Sequence, residues 1–176
     1  FPLMHIDVKV VRPDGSLCAV DEGGELLIRG PHVTPGYWNN PDATSQVVID
    51  GWLHTGDLAT RDEEGYYRII GRIKDLIISG GENISPAEVE SAIHAHPAVA
   101  EAALIGVPDP KWGEVGRAVI VLKPGETLDE TGLITFLRER LAGYKVPKTV
   151  VFVEELPKTG AGKIDKISIS ERWGKA

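Results

Sequence analysis

The sequence predicts an α+β protein in two parts. A strand-rich segment over residues 1–71 precedes a compact α+β domain over 75–176, with a junction at 72–74. Three observations carry this prediction. Up to Gly71, apolar residues alternate with polar ones between tight turns. Beyond it, two stretches (85–96 and 129–141) place apolar residues at helical spacing. The second part then reads strand, helix, strand, strand, helix, strand, the order expected of helices packed on a small sheet.

The elements follow in order. Ile6, Val8 and Val10 alternate with Asp7 and Lys9, the period of a half-buried strand from Ile6 to Arg12. Pro13-Asp14-Gly15-Ser16 is a turn, and Gly24 to Arg29 is a second strand. Pro31 to Asn40 is a loop, and Pro41 to Val48 a short helix with proline in its first turn. Asp57–Arg61 and Tyr66–Arg72 form a hairpin across Asp62-Glu63-Glu64-Gly65. Ser85-Pro86-Ala87-Glu88 reads as a capping box opening a helix with Val89, Ala92, Ile93 and His96 on one face, stopped by Pro97. Ala98–Val107 and Arg117–Leu122 read as strands, Asp129–Leu141 as an amphipathic helix, and Thr149–Val153 as a last strand.

Composition narrows the function. The 176 residues carry a formal net charge of −7, which argues against nucleic acid as a partner because phosphate binding needs clustered Lys and Arg. No apolar run approaches the ~20 residues that span a bilayer. The single cysteine, Cys18, excludes an internal disulfide, fits a reducing, cytoplasmic compartment and is expected to be a small buried hydrophobe. The opening Phe1-Pro2-Leu3-Met4 reads as the start of a fragment. His94 and His96, two apart on the expected helix, point to different faces, so the histidines make no metal site.

Several segments carry chemistry. Trp52-Leu53-His54-Thr55-Gly56-Asp57-Leu58 carries a carboxylate, Asp57, after a tight turn. Asp57 there either accepts hydrogen bonds from a vicinal diol or closes an Asx turn on its own backbone. Arg72 follows in Gly71-Arg72-Ile73-Lys74-Asp75, as a rigid fork for a ribose oxygen or phosphate, or as a surface ion pair with Asp75 or Glu64. Ser79-Gly80-Gly81-Glu82-Asn83 is too glycine-rich for regular structure and is either a plain loop or a place where backbone approaches a ligand closely. Lys163 sits after two glycines in Pro157-Lys158-Thr159-Gly160-Ala161-Gly162-Lys163-Ile164, on a flexible loop. This is not a Walker loop, because Ile164 stands where magnesium needs Ser or Thr. Trp112 offers a face for adenine or a rim aromatic, and Lys145 and Lys148 offer charges for phosphates or a solvated basic turn.

These motifs, in this order and over almost the whole chain, resemble the acyl-adenylate-forming enzymes: acyl-CoA synthetases, adenylation domains of peptide synthetases and firefly-type luciferases. The resemblance implies the β-rich end of a large nucleotide-binding domain over 1–71, with the remainder of that domain upstream. A hinge at Lys74 and a mobile C-terminal domain follow. Asp57 and Arg72 then bind the ribose of ATP and AMP, and Gly80 and Gly81 line the pantetheine channel. Lys163 bridges the substrate carboxylate and the α-phosphate, and Trp112, Lys145 and Lys148 lie near the CoA nucleotide. The implied activity is a carboxylate–CoA ligase, expected to act on fatty acids, using a small carboxylic acid, ATP with Mg2+, and CoA. The metal ligand is expected in the missing region, without which the fragment is expected to be inactive. A carrier-dependent adenylating enzyme, a luciferase and a non-catalytic nucleotide- or CoA-binding module remain alternatives.

Overall fold

The structure, a computed structural model, describes residue 2 and residues 4–175. The chain divides into two compact units, Phe1–Lys74 and Asp75–Ala176.

The first unit is an antiparallel sheet. Its strands are β1 (Asp7–Val11), β2 (Gly24–Arg29), β3 (Val48–Ile49), β4 (Trp52–Arg61) and β5 (Tyr67–Arg72), with one short helix, α1 (Pro41–Val47). The order is β1-β2-β4-β3, and β5 also pairs with β4, so the ten-residue β4 is the centre of the unit. The helix begins at Pro41 because Asn40 caps it, its Oδ1 accepting from the Ala43 N–H at 3.0 Å. The buried hydrophobics among the described residues of this unit are Val10, Val11, Leu27 and Ala59. Tyr37, Trp38, Ile69 and Ile73 are exposed.

The second unit is a mixed sheet between helices. A 3-10 turn at Ile73–Asp75 precedes β6 (Ile77–Ser79), β7 (Glu82–Ile84), α2 (Pro86–His94), β8 (Val99–Asp109), β9 (Gly113–Leu122), α3 (Glu130–Arg138), β10 (Thr149–Phe152) and α4 (Lys166–Trp173). The order is β10-β9-β6-β7 with β8 also on β9, and only β10–β9 is parallel. Both faces of the β8–β9 hairpin are covered, and residue parity decides which side chain goes where. Ala102, Leu104, Ala118 and Ile120 join Val89 and Ile93 of α2 and Leu133 and Leu137 of α3. Ala103, Ile105, Val107, Val115 and Val119 join Ile169 of α4 and Leu156.

Several expectations are corrected. Ser85 precedes α2 in extended conformation but makes no side-chain cap hydrogen bond, so the capping box does not form. Glu88, its expected partner, is instead held by Lys145 Nζ at 2.7 Å. The helix ends at His94, and His96 lies beyond it, its ring edge-on to Phe136 at 4.7 Å. The Ser79–Asn83 segment is regular structure: Gly80-Gly81 is the two-residue turn of the β6–β7 hairpin. Strands β8 and β9 run longer than expected, and β3 and α4 were not foreseen. Cys18 is only half-buried, with Sγ 3.8 Å from the Gly23 carbonyl oxygen. Burial nevertheless raises its thiol pKa.

Candidate functional site

In the first unit, the strand ladders bring Asp57 and Arg72 together. They are direct register partners across β4 and β5, and Arg72 Nε donates to Asp57 Oδ1 at 2.9 Å. Neither of the partners expected for Arg72, Asp75 or Glu64, is the one it takes. The Asp57 side chain keeps 32% exposure and that of Arg72 51%, so both remain open to a ligand. An exposed pair of this kind is worth little to stability, so its placement matters more than its energy. The Asp57 carboxylate is engaged by Arg72, and the Asp57 N–H donates to Thr55 Oγ1 at 3.0 Å.

Beside this pair lies a cleft of about 420 Å³, lined by Glu25, Gln46, Val47, His54, Thr55, Gly56, Arg72, Ile73 and Lys74. Val47 and Ile73 give it apolar surface, and Glu25, Gln46, His54, Thr55, Arg72 and Lys74 give it polar groups, the mixture usual in small-molecule sites. Lys74 is exposed in the 3-10 turn that ends the unit. Glu25 and His54 escaped the sequence reading. Their only signal is that His54 stands three residues before Asp57, and nothing in sequence connects Glu25 to it.

In the second unit, Gly80 and Trp112 come together. The Gly80 N–H donates to the Trp112 carbonyl oxygen at 2.9 Å, and a Cβ on Gly80 would lie 2.6 Å from Trp112 Cε3. The indole therefore lies against the turn, which explains the glycine by packing. Lys111 Nζ stands 4.6 Å from the centre of the same ring, and Trp112 keeps 42% exposure. Gly81 has φ +89° and open space beside it.

Lys163 occupies a bonded turn, more ordered than its glycines suggest. Lys158 and Ile164 form a bridge, Thr159 N–H donates to Lys163 O at 2.7 Å, and Gly162 N–H donates to Thr159 O at 2.8 Å. Ile164 packs against the α4-side core and Asp165 caps α4, so the turn is anchored at its exit. Asp165 accepts from the Ser168 hydroxyl and from the amides of Ser168 and Ile167, which lowers its carboxyl pKa. Among the described residues, Lys145, Lys158 and Lys166 pair with Glu88, Glu101 and Glu90, while Lys163 is exposed and belongs to no ion pair.

The remaining basic residues differ. Lys145 is held by both oxygens of Glu88 (2.7 and 2.8 Å), and that hydrogen-bonded carboxylate raises its pKa. Lys148 is exposed and lines a cleft of about 430 Å³ with Arg138, Glu130 and Pro147. Among the described residues no group of three or more His, Cys, Asp or Glu is placed to hold a metal ion, and no helix is long and apolar enough to cross a membrane.

The family model of the AMP-binding enzyme C-terminal domain matches residues 88–163. The chain is 51% identical over 173 residues to a feruloyl-CoA synthase of an Amycolatopsis species, covering 98% of this chain and 35% of that protein. It is 46% identical over 163 residues to a long-chain-fatty-acid–CoA ligase of Escherichia coli O157:H7, covering 93% and 29%. The solved o-succinylbenzoate CoA synthetase of Bacillus subtilis, in complex with its acyl-adenylate intermediate, superimposes with a TM-score of 0.86 at 43% identity, covering 93% of this chain and 33% of that one. The chain thus spans about a third of the length of these relatives. The α+β class and the resemblance to acyl-adenylate-forming enzymes read from the sequence are borne out.

Proposed function

We propose, from the premise that residues 88–163 form an AMP-binding enzyme C-terminal domain, that this chain is the carboxy-terminal part of an ATP-dependent carboxylate–CoA ligase. The observation that carries the reading is Lys163: an ammonium that is exposed and, among the described residues, belongs to no ion pair, held on a bonded turn whose flanking lysines, Lys158 and Lys166, pair with Glu101 and Glu90.

The chemistry has two steps. A carboxylate oxygen attacks the α-phosphorus of ATP, the bond to the leaving pyrophosphate breaks, and acyl-AMP forms. The CoA thiolate then attacks the acyl carbon and AMP leaves. Lys163 offsets negative charge gathering on the α-phosphate and the attacking carboxylate in the first step, a preorganised cation worth on the order of 10²–10³ in rate. Asp57 accepts the ribose hydroxyls and Arg72 donates to the same sugar. Mg2+ would enter bound to ATP, where it would supply charge shielding for the pyrophosphate. Lys74 is the hinge between the first unit, as the end of a larger nucleotide-binding domain, and the second, mobile one. The apolar residues exposed on the first unit, Tyr37, Trp38 and Ile69 among them, support its being part of something larger.

For CoA, the Gly80-Gly81 turn with Trp112 is the proposed pantetheine wall, and Lys148 the freer phosphate contact. Lys145 is committed to Glu88 and serves CoA only by exchanging that partner. Relatives named for feruloyl, succinylbenzoyl and long-chain fatty acyl groups leave the acid broader than the fatty acids first expected.

The test takes the protein containing this chain with its preceding sequence. ATP, Mg2+, CoA and a panel of aryl and fatty acids are supplied, and products are read by mass spectrometry. Acyl-CoA from one class is the expected result. Acyl-AMP with no acyl-CoA indicates a carrier-dependent or luciferase-like enzyme, and no adenylate with any acid leaves only a nucleotide- or CoA-binding module.

A further inference from the structure

The ladder between β2 and β4 breaks at one place. Glu25 pairs with Leu58 and Leu27 with His54, so Thr55, Gly56 and Asp57 stand opposite Leu26 alone. Such a bulge turns the strand and strips amides of their ladder partners, which is costly unless something replaces them. Two side chains do so. Thr55 Oγ1 donates to the Leu26 carbonyl oxygen at 2.7 Å and accepts the Asp57 N–H at 3.0 Å. Glu25 Oε1 accepts the Gly56 N–H at 3.3 Å, while its Oε2 lies 2.9 Å from His54 Nδ1.

One carboxylate therefore reaches from His54 to Gly56, clasping the residues that deliver Asp57. It is the less exposed partner of its pair, at 21% against 30% for His54. Gly56 itself has φ +70°, the left-handed conformation that suits a bulge and that a side chain resists. On its far side Asp57 meets Arg72 at 2.9 Å. Asp57 is thus held from both neighbouring strands, by Arg72 directly and by Glu25 through the backbone.

We infer that Glu25 is a positioning residue for Asp57: by bridging His54 Nδ1 and the Gly56 N–H, it fixes the bulge that aims the Asp57 carboxylate at a nucleotide ribose. This rests on the ribose role proposed for Asp57. A surface ion pair contributes little and would not distinguish one substrate from another. Here the carboxylate also accepts an amide that the broken ladder leaves unpaired, and a hydrogen bond to a charged acceptor is among the stronger kinds. Its loss shifts Asp57 relative to the sugar, so ATP binding suffers and CoA binding does not.

The experiment uses the whole protein and measures ATP–pyrophosphate exchange and thioester formation for Glu25→Gln, Glu25→Ala, Asp57→Ala and the double variant Glu25→Ala/Asp57→Ala. The KM for ATP is expected to rise about tenfold in Glu25→Ala, the scale of one charge-assisted hydrogen bond, with the KM for CoA unchanged. Glu25→Gln, which keeps an acceptor for Gly56, is expected to recover most of that loss, and also serves if the alanine variant does not fold. The double variant is expected to be no worse than Asp57→Ala, because Glu25 acts through Asp57. Additive losses, an equal rise in the KM for CoA, or an unchanged KM for ATP in Glu25→Ala overturns the inference. If Asp57→Ala itself leaves the KM for ATP unchanged, the ribose assignment beneath it fails instead.

Discussion

At Gly80 two constraints meet in one residue: φ is +59°, and the space a side chain needs is filled by the Trp112 indole. Replacing it with alanine forces either the ring or the turn to move. Gly80→Ala is expected to destabilise the second unit by about 1–3 kcal/mol, the usual range for overpacking added to left-handed strain. Gly81→Ala has strain alone and is expected to cost less. Thermal unfolding checks both, and the Gly80 penalty should shrink in a Trp112→Ala background. At this scale the sequence made the type of residue legible and its partner illegible. Asp57 and Arg72 stood out as a carboxylate and a guanidinium flanking a hairpin, but their being direct partners depends on a bulge between β4 and β5. Glu25 sits more than thirty positions from the bulge it bridges at Gly56, a relation that sequence pattern does not carry.

Among elements, those with strong local periodicity were readable and those defined by tertiary contact were not. Leu133 and Leu137, a helical turn apart, announce α3, and Asp129 caps it through the Gly132 amide at 2.7 Å. Lys166–Trp173 reads instead as alternation, Ile167 and Ile169 two apart, with only Ile169 buried. Its helical conformation is set by Asp165, whose carboxylate accepts from Ile167 and Ser168. Those bonds lower the carboxyl pKa, so their contribution is fully present above the ordinary aspartate range and is lost as pH falls through the lowered value. Protection of the α4 amides, taken relative to the intrinsic exchange rate at each pH, is therefore expected to fall in acid, and Asp165→Asn to flatten that dependence. An α4 whose protection is unchanged across the range contradicts the cap. The three-residue strands β6 and β7 were hidden for a different reason, being too short for a period to show.

The two units differ in how much core each owns. The second has clusters on both faces of its sheet, built wholly from its own residues. The first, among the described residues, buries Val10, Val11, Leu27 and Ala59 and leaves large apolar side chains in water. Residues 75–176 alone are accordingly expected to unfold cooperatively with dispersed amide signals, and residues 1–74 alone to lack a cooperative transition. A stable, cooperative 1–74 would contradict its reading as part of a larger domain. The reaction itself is put to the test by Lys163→Ala in the whole protein, with the two half-reactions assayed separately. ATP–pyrophosphate exchange is expected to fall on the order of 10²–10³-fold, while thioester formation from supplied acyl-AMP proceeds at the parent rate. Exchange that survives the substitution, or loss of both half-reactions together in a folded protein, would contradict the role given to that lysine.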